Sequence, residues 1–162
     1  LPDTLFSMEK LRSLDLHGFV IETLPESITK MVSLEFLSLV NNSLVDVASM
    51  ANGSFPKLRA ILLKENRIRT LPWAGLEVPQ LHLLDISSNQ LSGRLSDTLC
   101  HLDSTIELIV SDNQIESVPP AIVQLTSLRS LDLSRNNIKQ LPPNIGFMTR
   151  LEQVSHHPLI SH

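Results

Sequence analysis

Apolar and polar positions along this chain repeat in a frame of 23 or 24 residues. The hexapeptide Leu-Arg-Ser-Leu-Asp-Leu at residues 11–16 returns at 128–133, and the same frame also starts at 34, 58, 81, 105 and 151. Apolar residues recur at the first, fourth, sixth and eleventh positions of the frame. The alternation between the fourth and sixth positions predicts a short strand with one face in a core. Proline and then an Ile-x-x-Leu spacing follow several of these strands, and they predict an end to strand pairing and a short helical turn.

An asparagine occupies the ninth position of five consecutive copies. Its amide can satisfy backbone groups where the chain turns off the strand, so we predict a structural ladder with no catalytic role. Phe19 stands at this position in the first copy, and we expect side-chain packing to close the ladder there. Thr105 replaces the first leucine of the fifth copy, and we expect it to loosen that repeat only slightly. The ladder residues are Asn42, Asn66, Asn89, Asn113 and Asn136.

The combined frame, LxxLxLxxNxL, resembles the leucine-rich repeat family over essentially the whole chain. The second halves of several copies have the Leu-Pro-x-x-Ile form, at residues 24–28, 118–122 (with Val for Leu) and 141–145, and resemble Ras-suppressor-type intracellular repeat proteins. The fourth copy, Leu91-Ser92-Gly93-Arg94, is only loosely similar to a plant extracellular form, because Ser96 stands where that form has proline.

The resemblance implies an α/β fold, a curved leucine-rich-repeat solenoid of about seven repeats. A parallel sheet would line its concave side, and short helices or irregular segments its convex side. We expect residues 1–162 to form one repeat domain with strand frames near 11, 34, 58, 81, 105, 128 and 151. We also expect this domain to be part of a longer protein, because both ends of the sequence fall outside a complete repeat.

Composition excludes several classes of partner and site. The net charge of −4 argues against nucleic acid, because binding to phosphates needs a cationic surface. The longest run of strictly apolar residues, at 60–63, is far shorter than the roughly 20 residues that span a bilayer, so no membrane insertion is expected. The lone Cys100 excludes an internal disulfide and a zinc site of paired cysteines. We expect a cytoplasmic (intracellular) protein.

The sequence contains no recognisable catalytic motif. Its five glycines are isolated, so no phosphate-binding loop is present, and Cys100 is interpreted as a structural thiol. His156, His157 and His162 lack a supporting carboxylate at a fixed spacing, so we interpret them as a solvated tail and not as metal ligands. We therefore expect no enzyme activity, no catalytic residues, no cofactor and no metal.

A partner-binding surface is predicted on the concave side of the sheet. The third, fifth and seventh positions of each frame should point away from the core, and in the central repeats several of them are apolar with charged neighbours. An apolar patch with a charged rim is typical of protein-binding surfaces. The candidate partner-binding residues are Phe36, Val40, Ala60, Leu62, Lys64, Leu83, Asp85, Ile109, Asp132 and Arg135.

These observations favour a non-catalytic protein–protein interaction module or signalling scaffold that binds a protein partner of unknown identity. One alternative is the substrate-recognition domain of a larger enzyme, such as a ubiquitin ligase. Another is an architectural subunit of a large assembly, and the sequence leaves the oligomeric state open. A receptor ectodomain would be favoured only by sugars at the sequons of Asn41 and Asn52.

Overall fold

The computed structural model describes residues 3–156, with side chains from Thr4 onward. Seven three-residue strands form one parallel sheet, and each frame predicted from the sequence supplies one of them. The predicted parallel-sheet solenoid of about seven repeats is therefore confirmed. These strands are β1 (Ser13–Asp15), β2 (Phe36–Ser38), β3 (Ala60–Leu62), β4 (Leu83–Asp85), β6 (Glu107–Ile109), β8 (Ser130–Asp132) and β9 (Gln153–Ser155).

Neighbouring strands pair through residues at the same frame position of successive repeats. In the first six of these strands the central residue faces the core, and it pairs with the central residue of the next strand, as Leu37 pairs with Ile61 and Ile61 with Leu84. The residues on either side of it point to the opposite face, because successive side chains of a strand alternate. Equivalent positions of successive repeats therefore form straight columns across the sheet, about 4.8 Å apart.

Six short 3-10 helices precede or follow the strands, and they pack in two groups of three, because the third repeat has no helix among the described residues. Three of them begin directly after Pro25, Pro119 and Pro142, whose extended backbone ends the preceding segment. The predicted Leu-Pro-x-x-Ile segments thus start helices where proline fixes the backbone. The helices are η1 (Asp3–Ser7), η2 (Glu26–Lys30), η3 (Ala48–Met50), η4 (Asp97–His101), η5 (Pro120–Gln124) and η6 (Pro143–Phe147).

The core between the sheet and the helices is almost wholly aliphatic. Leucine, isoleucine and valine from every described repeat contribute to it, with Phe55 and Trp73 as its largest fully buried side chains. Among the described residues, five buried polar atoms have no hydrogen-bond partner, and two of them, Thr105 Oγ1 and Trp73 Nε1, belong to fully buried residues. Thr105 is therefore accommodated in a leucine position with its hydroxyl unsatisfied, which costs stability.

The turn after each of the first six frame-predicted strands has a left-handed residue at the eighth position of the frame. Gly18 fills it in the first repeat, and five non-glycine residues fill it in the following ones with φ between 52° and 58°. This conformation costs an L-residue about 1–2 kcal/mol. In the first five of these turns the backbone N–H of this residue donates to the next repeat, as from Glu65 to Ser87 O at 3.1 Å. The five residues are Asn41, Glu65, Ser88, Asp112 and Arg135.

The ninth-position asparagines lie directly after these turns and connect neighbouring repeats. Asn89 Oδ1 accepts from Ile68 N at 2.9 Å, and its Nδ2 donates to Leu63 O of the preceding repeat at 2.9 Å. Asn42, Asn66, Asn113 and Asn136 make the same bonds one repeat apart. Phe19 differs from our expectation, because its side chain is 49% exposed and does not pack in the core. Asn42 serves the first turn instead, through Leu16 O and Ile21 N.

A second, two-stranded parallel sheet was not predicted. It consists of β5 (Ser92–Arg94) and β7 (Gln114–Ser117), which follow the ladder asparagines of the fourth and fifth repeats. Gly93 has a φ of +67°, a backbone conformation that glycine adopts without the strain of a Cβ. The Leu-Ser-Gly-Arg segment thus builds a strand on another side of the repeat.

Candidate functional site

The concave face, meaning the face of the seven-stranded sheet that points away from the core, carries most of the candidate partner-binding residues. Its columns follow from strand pairing, since Phe36 pairs with Ala60 and Ala60 with Leu83. A second column contains Ser38, Leu62, Asp85, Ile109 and Asp132 in that order. The structure therefore brings side chains from five successive repeats next to each other.

Four apolar residues form a continuous area that we call the apolar patch: Phe36, Ala60, Leu62 and Leu83. The first column places Phe36, Ala60 and Leu83 side by side, and Leu62 lies on the same strand as Ala60, two residues on. All four are half-buried, because neighbours 4.8 Å away cover their flanks. Their outer surfaces remain open to solvent.

Ile109 is separated from the apolar patch by carboxylates. Its neighbours in the column are Asp85 and Asp132, and Glu107 lies two residues before it on the same strand. The two aspartates are held by their own turns, since Asp85 Oδ1 accepts from Ser87 N at 2.9 Å and Asp132 Oδ1 from Ser134 N at 3.0 Å. We call Asp85, Glu107, Ile109 and Asp132 the acidic half of the face.

The remaining candidates lie at the edge where the strands end. Val40 and Lys64 occupy the seventh positions of adjacent repeats, and Lys64 Nζ lies 3.5 Å from Glu65 Oε1 in an exposed ion pair. Arg135 is exposed and is the left-handed residue after β8, so it borders the face. The loops after the strands thus add charge along one edge.

Several strongly exposed apolar side chains lie away from this face and were missed by the sequence analysis. Val20 is 81% exposed and Phe147 79%, whereas every residue of the apolar patch is half-buried. The alternation that identifies strand faces gives no information about such loop and helix positions.

Side chains with potential chemistry do not converge on this face. Burial first, and then the charge of Asp97, raises the pKa of the Cys100 thiol to about 11, against the opposing effect of Arg94. Such a thiol stays protonated at neutral pH and is a poor nucleophile. Within residues 3–156 no group of three or more His, Cys, Asp or Glu side chains could hold a metal ion. His157 and His162 lie outside the described residues.

Sequence comparison identifies the repeat type directly. A model of two copies of leucine-rich repeats matches residues 106–154, and a single leucine-rich repeat model matches residues 80–102. The chain is a leucine-rich-repeat protein. No curated protein sequence matches it.

Solved structures of other proteins superpose on almost the whole chain. A leucine-rich-repeat protein of Leptospira interrogans gives a TM-score of 0.87 at 25% identity, over 98% of this chain and 41% of that one. The ectodomain of the plant membrane receptor kinase GASSHO1/SCHENGEN3 from Arabidopsis thaliana gives 0.76 at 26% identity, over 96% of this chain and 19% of that one. A TDR receptor gives 0.74 at 23% identity, over 98% and 29%. This leucine-rich-repeat chain thus spans less than half the length of each.

The leucine-rich-repeat fold is that of a protein–protein interaction module. Each repeat contacts its neighbours, so stacking builds an extended surface and not an enclosed pocket. Within the part of the chain that the structure describes, no helix is long and apolar enough to cross a bilayer.

Proposed function

We propose that this leucine-rich-repeat protein binds a partner protein through its concave face, as a non-catalytic scaffold in signalling. The observation that carries the proposal is the apolar patch, which lies on the outer side of the sheet where strand alternation would otherwise allow fully polar residues. When a complementary protein covers such an area, burial of the apolar side chains favours binding, and the charged rim makes the binding specific.

The acidic half indicates the chemistry of the partner. Asp85, Glu107 and Asp132 surround Ile109, and none of these three carboxylates forms an ion pair with a described residue. A lysine or arginine of the partner could place its aliphatic stem on Ile109 and its charge among the carboxylates. We therefore propose a partner segment that is apolar opposite Phe36 and basic opposite Ile109.

The size of the sheet sets a limit on affinity. Seven short strands give roughly 300–450 Å² of flat surface, whereas each partner of a standard interface buries about 800 Å². A tightly bound partner would therefore also contact the loops after the strands, where Lys64, Arg135 and the left-handed residues lie. A short peptide could use the apolar patch alone.

One structural relative supports a binding role by analogy. The ectodomain of GASSHO1/SCHENGEN3 was solved in complex with CASPARIAN STRIP INTEGRITY FACTOR 2. That complex belongs to the relative, and at 26% identity its ligand is not transferred to this chain.

The test is a pull-down from the source cells with tagged protein, comparing wild type with Phe36→Glu/Leu62→Glu. Both side chains have an open outer surface, so the substitutions should leave the fold intact, which circular dichroism checks. We expect the double variant to recover at least about tenfold less partner than wild type does. This decrease corresponds to about 1.4 kcal/mol of binding free energy.

A matched control is Val20→Glu/Val32→Glu, which introduces the same two charges at exposed apolar positions away from the concave face. This control should retain the partner. If the folded Phe36→Glu/Leu62→Glu variant retains every partner as well, the proposed face is wrong.

We further propose that this binding takes place inside the cell, since the Leu-Pro-x-x-Ile form resembles intracellular repeat proteins. Two of the structural relatives are receptors, one of them a membrane receptor ectodomain, so the location needs its own test. Asn41 and Asn52 are both exposed sequon residues. Sugars found on either residue by mass spectrometry of the native protein would contradict an intracellular location.

A further inference from the structure

The third and fourth repeats separate along one side of the solenoid and leave a groove. At one end Gln90 N donates to Ile68 O at 2.9 Å, and at the other Thr98 Oγ1 donates to Leu71 O at 2.9 Å. Between these two contacts the described structure has no hydrogen bond that joins residues 69–70 to β5. The groove lies between these two contacts and is lined by residues of both repeats.

One wall of this groove is the free edge of β5. Leu91 O accepts from Gln114 N at 2.7 Å and Leu95 N donates to Ser117 O at 2.9 Å, so these alternate residues face β7. Strand alternation places the backbone N–H and C=O groups of Ser92 and Arg94 on the opposite edge. Outside the pairing of β5 with β7, those groups make no backbone hydrogen bond with a described residue. An unpaired strand edge is a template for another extended chain.

The groove offers apolar contacts below this edge. Its volume is about 300 Å³, at the small end of the range for ligand sites. Leu71, Leu91, Leu95 and Ile115 are buried and line the floor, whereas Arg69 and Arg94 lie exposed at the rim. A strand lying here would place alternate side chains on the apolar floor and the others at the arginines.

The charge at the rim indicates the sign of the occupant. Arg94 Nη2 is paired with Asp97 Oδ1 at 3.0 Å. Arg69 donates from Nε to the neutral Gln90 Oε1 at 3.3 Å and forms no ion pair with the described residues. In a chain of net charge −4, this leaves an uncompensated cation beside an open strand edge. A carboxylate can bind a guanidinium through two parallel hydrogen bonds.

We propose that this groove binds a short extended segment of a partner protein, added as a strand to the free edge of β5. The segment has alternating apolar and acidic side chains, with the apolar ones on Leu71, Leu91 and Leu95 and an acidic one at Arg69. This mode of recognition takes affinity from main-chain hydrogen bonds and specificity from alternate side chains. The site goes beyond the proposed function, because it lies on another side of the solenoid and favours an acidic segment instead of a basic one.

The test titrates the ¹⁵N-labelled chain with the capped peptide Glu-Val-Glu-Val-Glu and follows amide chemical shifts. We expect saturable shifts at Ser92, Arg94 and Thr70, with a Kd of about 1 mM or tighter. Two control peptides are Lys-Val-Lys-Val-Lys and a form of the acidic peptide with N-methylated central amides. Both should bind at least about threefold more weakly, because they lack the acidic groups or the backbone donors.

Arg69→Glu should weaken binding of the acidic peptide by about threefold to tenfold. Lys139→Glu is the matched control, because Lys139 occupies the same frame position three repeats later and is also exposed, and it should bind as wild type does. The Phe36→Glu/Leu62→Glu variant should also bind normally, which separates this site from the concave face. The absence of saturable shifts at millimolar peptide, undiminished binding of the N-methylated peptide, or shifts confined to the concave face would each overturn the proposal.

Discussion

Asn89 makes four hydrogen bonds to backbone groups of its own repeat and the one before it. Its Nδ2 donates to Leu63 O, Ile86 O and Ser87 O, and its Oδ1 accepts from Ile68 N. At residue scale, the ladder thus replaces strand pairing where the chain leaves the sheet. The sequence predicted this position because five asparagines share one phase, but it could not predict which backbone atoms each one contacts.

Replacing Asn89 with alanine should lower the free energy of unfolding by about 2–4 kcal/mol, because the buried N–H of Ile68 loses its acceptor. Urea denaturation of wild type and variant measures this change. Asn137→Ala is the control, since Asn137 is exposed and its side chain makes no hydrogen bond with the described residues. Equal effects of the two substitutions would show that the ladder contributes nothing specific.

Cys100 should make stability depend on pH in the alkaline range. Burial raises the pKa of its thiol to about 11 from 9.0, so the folded state holds the proton more strongly than the unfolded chain. The resulting stabilisation is complete below pH 9 and is lost as the pH rises towards 11. We expect wild type to lose about 1–2 kcal/mol more than Cys100→Ala across this interval. Parallel profiles from urea denaturation of the two proteins would contradict this prediction.

At the scale of elements, helix η4 begins differently from its equivalents in other repeats. Ser96 stands where Pro25, Pro119 and Pro142 precede η2, η5 and η6, and its Oγ accepts from Thr98 N at 3.3 Å. Its φ of −60° is already the value that proline fixes. The hydrogen bond from Thr98 N to Ser96 Oγ therefore starts η4, whereas the proline ring starts the equivalent helices.

This equivalence predicts different outcomes for two substitutions of Ser96. Ser96→Ala removes the cap and should cost about 1 kcal/mol. Ser96→Pro also removes it but restricts the unfolded chain, so the stability should stay within about 0.5 kcal/mol of wild type. Thermal unfolding of both variants checks the order, and a proline variant less stable than the alanine variant would show that the two starts are not equivalent.

The strands of the main sheet were predictable, whereas β5 and β7 were not. Each main strand has apolar residues in alternation with outward-facing ones, which is the signal that the sequence gives for a half-buried strand. β5 consists of Ser92, Gly93 and Arg94, none of which has a large apolar side chain. Its extended backbone depends on pairing with β7 one repeat later, and local sequence carries no information about such a partner.

At the scale of the whole molecule, pairing register decides what the candidate site contains. The frame correctly indicated that Phe36, Ala60 and Leu83 occupy equivalent positions, so their column follows from the sequence. Ile109 was assigned to the same apolar stripe, but the register places it between Asp85 and Asp132. Whether this face binds a partner remains a proposal, since neither repeat spacing nor strand register identifies a ligand.

The solenoid architecture also predicts a gradient of stability along the molecule. β3, β4 and β6 pair on both edges, whereas β9 pairs only with β8 among the described residues and its Val154 is 40% exposed. Each repeat contacts only its neighbours. Local unfolding of the last described repeat therefore breaks one interface between repeats, whereas local unfolding of a central repeat breaks two.

Amide hydrogen exchange of the 162-residue chain measures this gradient at two matched positions. Leu63 N donates to Asp85 O at 2.7 Å, and Leu133, at the same frame position, donates to Ser155 O at 2.8 Å. After correction for intrinsic rates, Leu133 should exchange at least about tenfold faster, which corresponds to about 1.4 kcal/mol of local stability. Equal protection at Leu63 and Leu133 would instead mean that the described repeats open as one cooperative unit, with the end interface as strong as those at the centre.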